Sequence, residues 1–490
     1  MNDSAQPLLL GIDVGTSSVK VVATNMAGQL VAEAAARYPT TTHGDSAEQD
    51  PQLWWNALCH LTPRVVNNNP VLAVAVTSQA PTLVPVDRAG VNVGPAYTWL
   101  DRRARREAEL IASFVPNSRN GADPFFGTAK IPWLLANRPE IARMTSTVLA
   151  ANGFIAAGLT GVRTLDDSTA SLMQGFDEET NAFDSGLMGA NLGLDLLPPI
   201  VRPTDVVGHV TAQASASTGI PQGTPVAAGG IDAIGSALEA GAVQAGDPLV
   251  DMTGFSSVTM LAVPAGTHIP GFIHARHCLP GVDLLITAQV TAGATIDWVN
   301  SLGRDGDLRD VGRLLARPRP SRLTFVPSLA GDRTPTWNAS SRGIIDGIDL
   351  ATDGTELMLA AMEGNALALA NDLDTLRAHG FNIDRIISTG GGASSGAWLQ
   401  IKADVSGLTV SRPATGHGAA QGASYLAGMA VGVRSSASEL KALSAEETRR
   451  FSPDPTLTES YVAKRERFNL VSILNTKRGA PTSPSLHSAS

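Results

Sequence analysis

The chain has 490 residues, 43% apolar and 17% charged, with 36 Lys plus Arg against 45 Asp plus Glu, a formal net charge of −9 and a mean hydropathy of +0.06. That length suits two or three domains, and the composition can bury a large core, which excludes a disordered chain. An acidic balance with no basic block excludes nucleic acid and an anionic membrane as main partners.

Leu8 to Asp13 reads as a short buried strand, followed by a small-residue turn, Val14-Gly15-Thr16-Ser17-Ser18, and a second apolar run from Val19 to Thr24. Asn25-Met26-Ala27-Gly28 turns the chain again before Gln29 to Ala35. The start is thus an antiparallel meander and not the strand-to-helix opening of a Rossmann unit. Asp50-Pro51 offers an N-cap with proline in the first helical position, and Leu53, Trp54, Ala57, Leu58 and Leu61 mark one face of the helix that follows. Val71 to Val76 is a strand that delivers Thr77-Ser78-Gln79 at its end. Pro, Gly and Asp punctuate 117–127 and 203–224, and a second α/β series is expected to begin near Val226. It continues in a long helix capped at Thr355, with Leu359, Met362, Ala366, Leu369, Leu373 and Leu376 as its stripe and Gly380 as its stop. Arg385 to Ser388 is a strand running into Gly390-Gly391-Gly392, and a helix follows around Trp398 to Val405. The tail from 476 to 490, rich in Ser, Pro, Thr and Ala, is expected to be disordered.

Two cysteines, Cys59 and Cys278, cannot build a disulfide framework, and Met1 to Ser4 lacks the basic start of a secretory signal. No apolar stretch approaches the roughly 18 to 20 residues of a membrane span, so a cytoplasmic protein is expected.

Asp13-Val14-Gly15-Thr16-Ser17 brings a carboxylate, a glycine and two hydroxyls into one tight turn. Backbone N–H groups and hydroxyls there can face a phosphate while the carboxylate holds a hydrated magnesium ion; an ordinary hairpin is the plain alternative. No G-x-x-x-x-G-K-[ST] sequence occurs, which excludes a P-loop nucleotidase. Gly229-Gly230-Ile231-Asp232 places an acid just past a buried strand, either as a general base on a hydroxyl or as a simple helix cap. Gly390-Gly391-Gly392 lets a flat ligand such as a nucleotide approach closely, or makes a plain strand-to-helix turn, and without G-x-G-x-x-G spacing it is no Rossmann fingerprint.

Two patterns are set aside. Gly392-Ala393-Ser394-Ser395-Gly396 has the form of a nucleophile elbow, with Asp404 and His417 downstream, but all three lie within about 25 residues, whereas a triad draws on well-separated strand ends. His274, His277 and Cys278 lack an obvious fourth ligand for zinc, so packing accounts for them better.

Taken together the chain resembles the FGGY family of carbohydrate kinases, from about residue 7 to residue 470, and is most similar to the xylulokinase branch. The likeness is carried by Gly11-Ile12-Asp13-Val14-Gly15-Thr16-Ser17, Glu48-Gln49-Asp50-Pro51, Trp99 with Asp101 and Arg103, and Gly223 through Asp232. It continues in Pro327 through Pro335, Glu363-Gly364, Gly390-Gly391-Gly392 with Gln400 and Ala403-Asp404, and Gly418-Ala419-Ala420. A Lys-x-x-Trp signature survives in part as Lys130-Ile131-Pro132-Trp133.

The resemblance implies an α/β fold of two actin-like ATPase (ribonuclease H-like) domains flanking a deep catalytic cleft. It places a sugar-side domain at 7–243, an ATP-side domain at 244–432, a helical extension at 433–475 and the tail at 476–490. It implies ATP and Mg2+, a small carbohydrate as substrate, and compatibility with a homodimer. Asp232 would take the proton of a sugar hydroxyl whose oxygen attacks the γ-phosphate in line. Asp13 would hold magnesium through water. Gly15, Thr16, Ser17, Gly254, Ser256, Gly390, Gly391 and Gly392 would bind phosphates and nucleotide, and Gln79, Ala80, Asp101 and Arg103 would meet the sugar beside Asp232.

Three positions depart from that branch. Ala80-Pro81 replaces its Met-His, Ala233 replaces the Asn after the catalytic acid, and Gly254-Phe255-Ser256 replaces Gly-Thr-Ser. The first two delete polar partners for sugar hydroxyls, so D-xylulose is expected to be a poor acceptor. The third leaves Ser256 or Ser257 to supply the missing hydroxyl. A ketopentose kinase is the favoured reading, with a kinase for a sugar acid or polyol, or a non-catalytic sugar or nucleotide sensor, as alternatives.

Overall fold

In the computed structural model, which describes residues 6–302, 319–413, 417–434, 436–444 and 447–478, strand β1 (Leu8–Val14) is buried everywhere except at Asp13. Such a strand needs cover on both faces. β2 (Ser18–Thr24) and β3 (Leu30–Arg37) follow as the antiparallel meander expected from the sequence, with Asp13 opposite Lys20 across the first hairpin. One face is covered by α1 (Pro51–Val66), capped by Asp50, whose carboxylate accepts from the Gln52 N–H at 3.0 Å. Trp54, Leu58 and Leu61 of α1 share one apolar core with Leu8, Leu10 and Ile12. Leu9 and Gly11 point the other way, toward helix Ala419–Ala430. That helix also meets helix Asp232–Ala240 with almost no side chain between them: a Cβ on Gly422 would stand 1.8 Å from the Gly235 carbonyl oxygen.

The chain divides into two units. The first comprises 1–250, 260–286 and 413–448, the second 251–259, 287–412 and 449–490. The main sheet of the first runs in the order Val206–His209, Pro225–Ala227, Val71–Ser78, β1, β2, β3, with Gly230–Ile231 also on Val71–Ser78. Val226 pairs in parallel with Val74, and Gly230 and Ile231 with Thr77 and Ser78. The strands near Val226 therefore complete this first sheet and do not open a second α/β series; a short apolar run carries no mark of the sheet it will join. Because β1 also runs parallel to Val71–Ser78, with Asp13 beside Thr77, three strands end together at Val14, Ser78 and Ile231. A smaller sheet of five short strands holds Ser46–Gln49 against Ala96–Tyr97.

In the second unit, helix Gly354–Ala378 buries Leu359, Met362, Ala366, Leu369, Leu373 and Leu376, as its periodicity predicts. Its cap is Asp353 and not Thr355: the Asp353 carboxylate accepts from the Glu356 N–H at 2.8 Å, and Thr355 is already inside the helix. Gly380, with φ +89°, follows the last turn. Strands Leu249–Thr253, Arg385–Thr389 and Thr409–Pro413 lie side by side. Helix Pro455–Arg478 takes in the first three residues of the expected tail, and 479–490 lie outside the described residues.

Candidate active site

The β1–β2 hairpin closes through the Gly15 N–H, which donates to Ser18 O at 3.0 Å. Its carbonyls are strapped from behind. The Tyr38 hydroxyl donates to Gly15 O, Gln49 Nε2 to Thr16 O at 2.8 Å, and the Tyr38 N–H to Ser17 O at 3.2 Å. With these carbonyls tied down, the turn leaves the Ser17 side chain exposed, a donor that an anion could meet. Trp99 Nε1 donates to Thr16 Oγ1 at 3.0 Å. A hydroxyl that already accepts directs its own hydrogen elsewhere, which leaves Thr16 a donor.

Two acids stand at the neighbouring strand ends. Asp13 Oδ1 accepts from Thr77 Oγ1 at 3.1 Å. Burial pushes its carboxyl up to about 6, against the pull of Thr77 and Lys20. Asp232 is the first residue of its helix, and the cap position before it, Ile231, contributes no side-chain hydrogen bond. The Asp232 carboxylate is also met by the backbone N–H groups of Asp232 and Ala233, so it helps satisfy the first turn of its helix. Burial first, and the negative charge of Asp13 second, push Asp232 up to about 8. The turn into it needs Gly229, where φ is +73° and a Cβ would lie 1.8 Å from Val76 O.

The expected sugar-side residues fall into two groups. Gln79, only 1% exposed, donates its side-chain amide to Gln49 Oε1 at 2.6 Å, linking it through Gln49 to the hairpin. Ala80 is half-buried and Pro81 buried beside it. Asp101 and Arg103 are brought together with each other: the carboxylate accepts from the Ala47 N–H at 3.0 Å and from Arg103 Nη2 at 2.6 Å. Arg103 Nη2 also donates to Glu48 Oε1 at 2.6 Å, and its guanidinium lies 4.2 Å from the Trp133 ring centroid. Asp101 and Arg103 thus brace the smaller sheet. Lys130, from the same signature as Trp133, is buried.

In the second unit, strand Leu249–Thr253 leads into Gly254-Phe255-Ser256, closed by the Gly254 N–H donating to Ser256 O at 2.8 Å. Phe255 is 49% exposed. Ser257 is buried and donates its hydroxyl to Asp251 Oδ1 at 3.0 Å, so of the two serines expected to replace the missing threonine only Ser256 stays available. A Cβ on Gly390 would lie 2.7 Å from Thr253 O and one on Gly392 2.6 Å from Thr253 Cγ2, whereas Gly391 faces open space. Internal packing already requires two of the three glycines, and Gly391 is the one with room above it.

Beneath these turns Lys402 pairs with Asp251, both buried. Lys402 Nζ also donates to Thr253 Oγ1, and Ser388 Oγ to Asp251 Oδ2, each at 2.8 Å. Burial alone would raise Asp251, but the Lys402 charge and these donors hold it below the ordinary carboxylate range.

The two patterns set aside earlier dissolve. Ser394 Oγ donates to Gly391 O at 2.7 Å, Asp404 accepts from Gln400 and the Asp454 N–H, and His417 Nδ1 lies 2.6 Å from Glu33 Oε2. His277 Nδ1 accepts from the Leu279 N–H, and His274 Nε2 bonds Ile269 O. Among the described residues no three His, Cys, Asp or Glu side chains are grouped to hold a metal, and no helix is long and apolar enough to cross a membrane.

Residues 8–238 match the model of the FGGY family of carbohydrate kinases, N-terminal domain, and 252–431 that of its C-terminal domain. The chain is 29% identical to the xylulose kinase of Escherichia coli over 94% of its own length and 98% of that protein's. It is 32% identical to the xylulose kinase of Streptomyces coelicolor, over 84% and 86%. The crystal structure of xylulose kinase from Rhodospirillum rubrum superposes with a TM-score of 0.83 at 26% identity, covering 96% of this chain and 99% of the other.

Proposed function

Because the chain belongs to the FGGY family of carbohydrate kinases, we propose that it transfers the γ-phosphoryl group of ATP to a hydroxyl of a ketopentose, with Asp232 as general base. The observation that carries this reading is geometric: Asp13 at the end of β1 and Asp232 just past Ile231 stand at neighbouring parallel strand ends, both beside the end of Val71–Ser78. Two acids so placed can divide the work: Asp13 faces a cation, and the ionised form of Asp232 takes the proton. Asp232 accepts the proton of the sugar hydroxyl, and the freed oxygen attacks the γ-phosphorus as the bond to the β,γ-bridging oxygen breaks. The hydroxyls of Thr16 and Ser17, with the backbone N–H groups of those two residues, receive the charge on the phosphoryl oxygens. Gly254, Ser256 and Gly391 serve the nucleotide.

Asp13 with the Thr77 hydroxyl offers one hard oxygen ligand set and no all-protein cage. That fits magnesium, which keeps its waters and takes one or two carboxylates together with substrate phosphates. Asp13 would hold it, and the ion when bound supplies neutralisation of phosphate charge. A cytoplasmic setting belongs to the same proposal, with ATP as donor and Cys59 and Cys278 as free thiols. We place the division between sugar-side and ATP-side domains at 243/244, between the two matched ranges.

The relatives named xylulose kinases support a ketopentose. Ala80, Pro81 and Ala233 offer few polar partners there, so kcat/KM for D-xylulose should fall below that of the best acceptor. ADP release measured across ketopentoses, sugar acids and polyols tests this. The expected result is sugar-dependent release, strongest with a ketopentose and reduced about 10²- to 10⁴-fold in Asp232→Asn. A sugar acid or tetritol that exceeds every ketopentose moves the acceptor class, and ADP release indifferent to all sugars leaves a sensor.

A further inference from the structure

The backbone that carries Asp232 is held by a set of buried polar side chains with no part in the chemistry above. Asn152 Nδ2 donates to Ala228 O at 3.2 Å and to Asp166 Oδ2 at 2.9 Å. The Asn152 N–H in turn donates to Ser78 Oγ at 3.0 Å, tying the set to the neighbouring strand end. Asp166 caps helix Asp167–Leu172 through the Thr169 N–H at 2.8 Å and also accepts from Thr169 Oγ1 at 2.8 Å. The Ser168 hydroxyl donates to Asp166 Oδ1. The Ile231 N–H, in the Gly230–Ile231 peptide one residue ahead of the one that leads into Asp232, donates to Ser168 Oγ at 3.2 Å. Ser78, Asn152, Asp166 and Ser168 are each at most 2% exposed.

Capping a six-residue helix needs one acceptor for one N–H. Asp166 does more. By taking the Ser168 hydrogen it fixes which way that hydroxyl points, so that a lone pair and not a hydrogen meets the Ile231 N–H. By taking one Asn152 hydrogen it fixes the amide whose other hydrogen holds Ala228 O. Both ends of the turn from Ala228 to Ile231 are thus set by one carboxylate.

We propose that Asp166 and Ser168 are positioning residues for phosphoryl transfer, which orient the Asp232 carboxylate through the backbone of the preceding turn. The proposal rests on the reading of Asp232 as the general base. It predicts that Ser168→Ala lowers kcat about 10- to 100-fold, the loss expected when a reacting group is displaced by a fraction of an ångström to about 1 Å. KM for ATP should change less than about twofold, because the nucleotide does not depend on this turn. Asp166→Asn should do the same while keeping its shape: whichever way the amide lies, its NH2 faces a donor, either the Thr169 N–H or Asn152 Nδ2.

Steady-state kinetics of Ser168→Ala, Asp166→Asn and Ser168→Cys, each alone and combined with Asp232→Asn, test the idea. Ser168→Cys keeps a side chain of similar shape but only a weak acceptor, and covers the case in which Ser168→Ala does not fold. The expected outcome is a fall in kcat in the Asp232 background, and less than about a twofold further loss once Asp232 is already Asn. Full kcat in the folded Ser168 variants overturns the proposal, and so does an equal fold-loss in both backgrounds, which a purely structural role gives. If Asp232→Asn itself keeps wild-type turnover, the general-base reading fails instead, whatever Ser168 does.

Discussion

Sugar binding to the metal-free protein should tighten as pH rises toward 8, and that dependence should move when Asp13 is replaced. Asp232 is pushed up to about 8, by burial first and by the charge of Asp13 second. About a tenth of the molecules then carry the carboxylate at pH 7, and about a hundredth at pH 6. A sugar hydroxyl that donates to this carboxylate binds the ionised form, so the association constant should rise close to tenfold per unit below pH 7.5 and flatten above 8. Binding at pH 7 then releases up to about 0.9 proton, read by calorimetry as a difference in heat between buffers of unlike ionisation enthalpy. Asp13→Asn removes the second cause, so the midpoint should fall below 8 while burial keeps it above the ordinary 3.8. The same linkage acts on folding with its own sign. The folded pKa lies above the unfolded one, so this acid favours the fold fully below about 3.8 and loses that contribution as pH rises through 8. Metal-free wild type should therefore lose more melting temperature between pH 6 and 9 than Asp232→Asn does. A sugar affinity flat from pH 6 to 9, or a midpoint unmoved by Asp13→Asn, refutes the reasoning.

Asp13→Ala should raise the magnesium concentration needed for half-maximal turnover as well as slow it; an unchanged metal requirement removes Asp13 from that role. Gly422→Ala forces a Cβ to within 1.8 Å of Gly235 O and should destabilise the protein by about 1–3 kcal/mol or more. Gly121→Ala, which meets nothing within 4 Å, is the control, and equal melting temperatures for the two would contradict the packing. Burial pushes His277 down to about 4, so the unfolded chain takes up its proton first as pH falls from 6.5. Up to about 3 kcal/mol of stability should be lost toward pH 4 from this group, and a Phe or Gln at 277 that leaves the acid limb of a denaturation curve unchanged would argue against it.

What could be read in advance was local. The meander of β1 to β3, the Asp50-Pro51 cap and the stripe from Leu359 to Leu376 each follow from residues within a turn or two of one another. The same holds for Asp232 after its glycines. What could not be read joins distant residues. Trp99 meets Thr16 across 83 positions, Lys402 meets Asp251 across 151, and Ile231 meets Ser168 across 63. No periodicity marks such partners. Trp99 and Gln49 lay inside quoted motifs, so a place was legible for them but a task was not. Gly390 and Gly392 also carry a packing requirement against Thr253 that the sequence did not show, because a glycine needed for packing and one needed for a ligand look alike there.

The Asp251–Lys402 pair has a consequence for how this protein can change through time. Either partner lost alone leaves an uncompensated charge in the interior, which typically costs about 3–5 kcal/mol, while joint replacement by apolar residues of like volume is often neutral. Single steps are therefore costly, and a double step must also settle the Thr253, Ser257 and Ser388 hydroxyls, so the two positions should change together although 151 residues separate them. A chimera that crosses over between 251 and 402 inherits the pair only if both parents carry it. Descendants that lack one partner should lack the other.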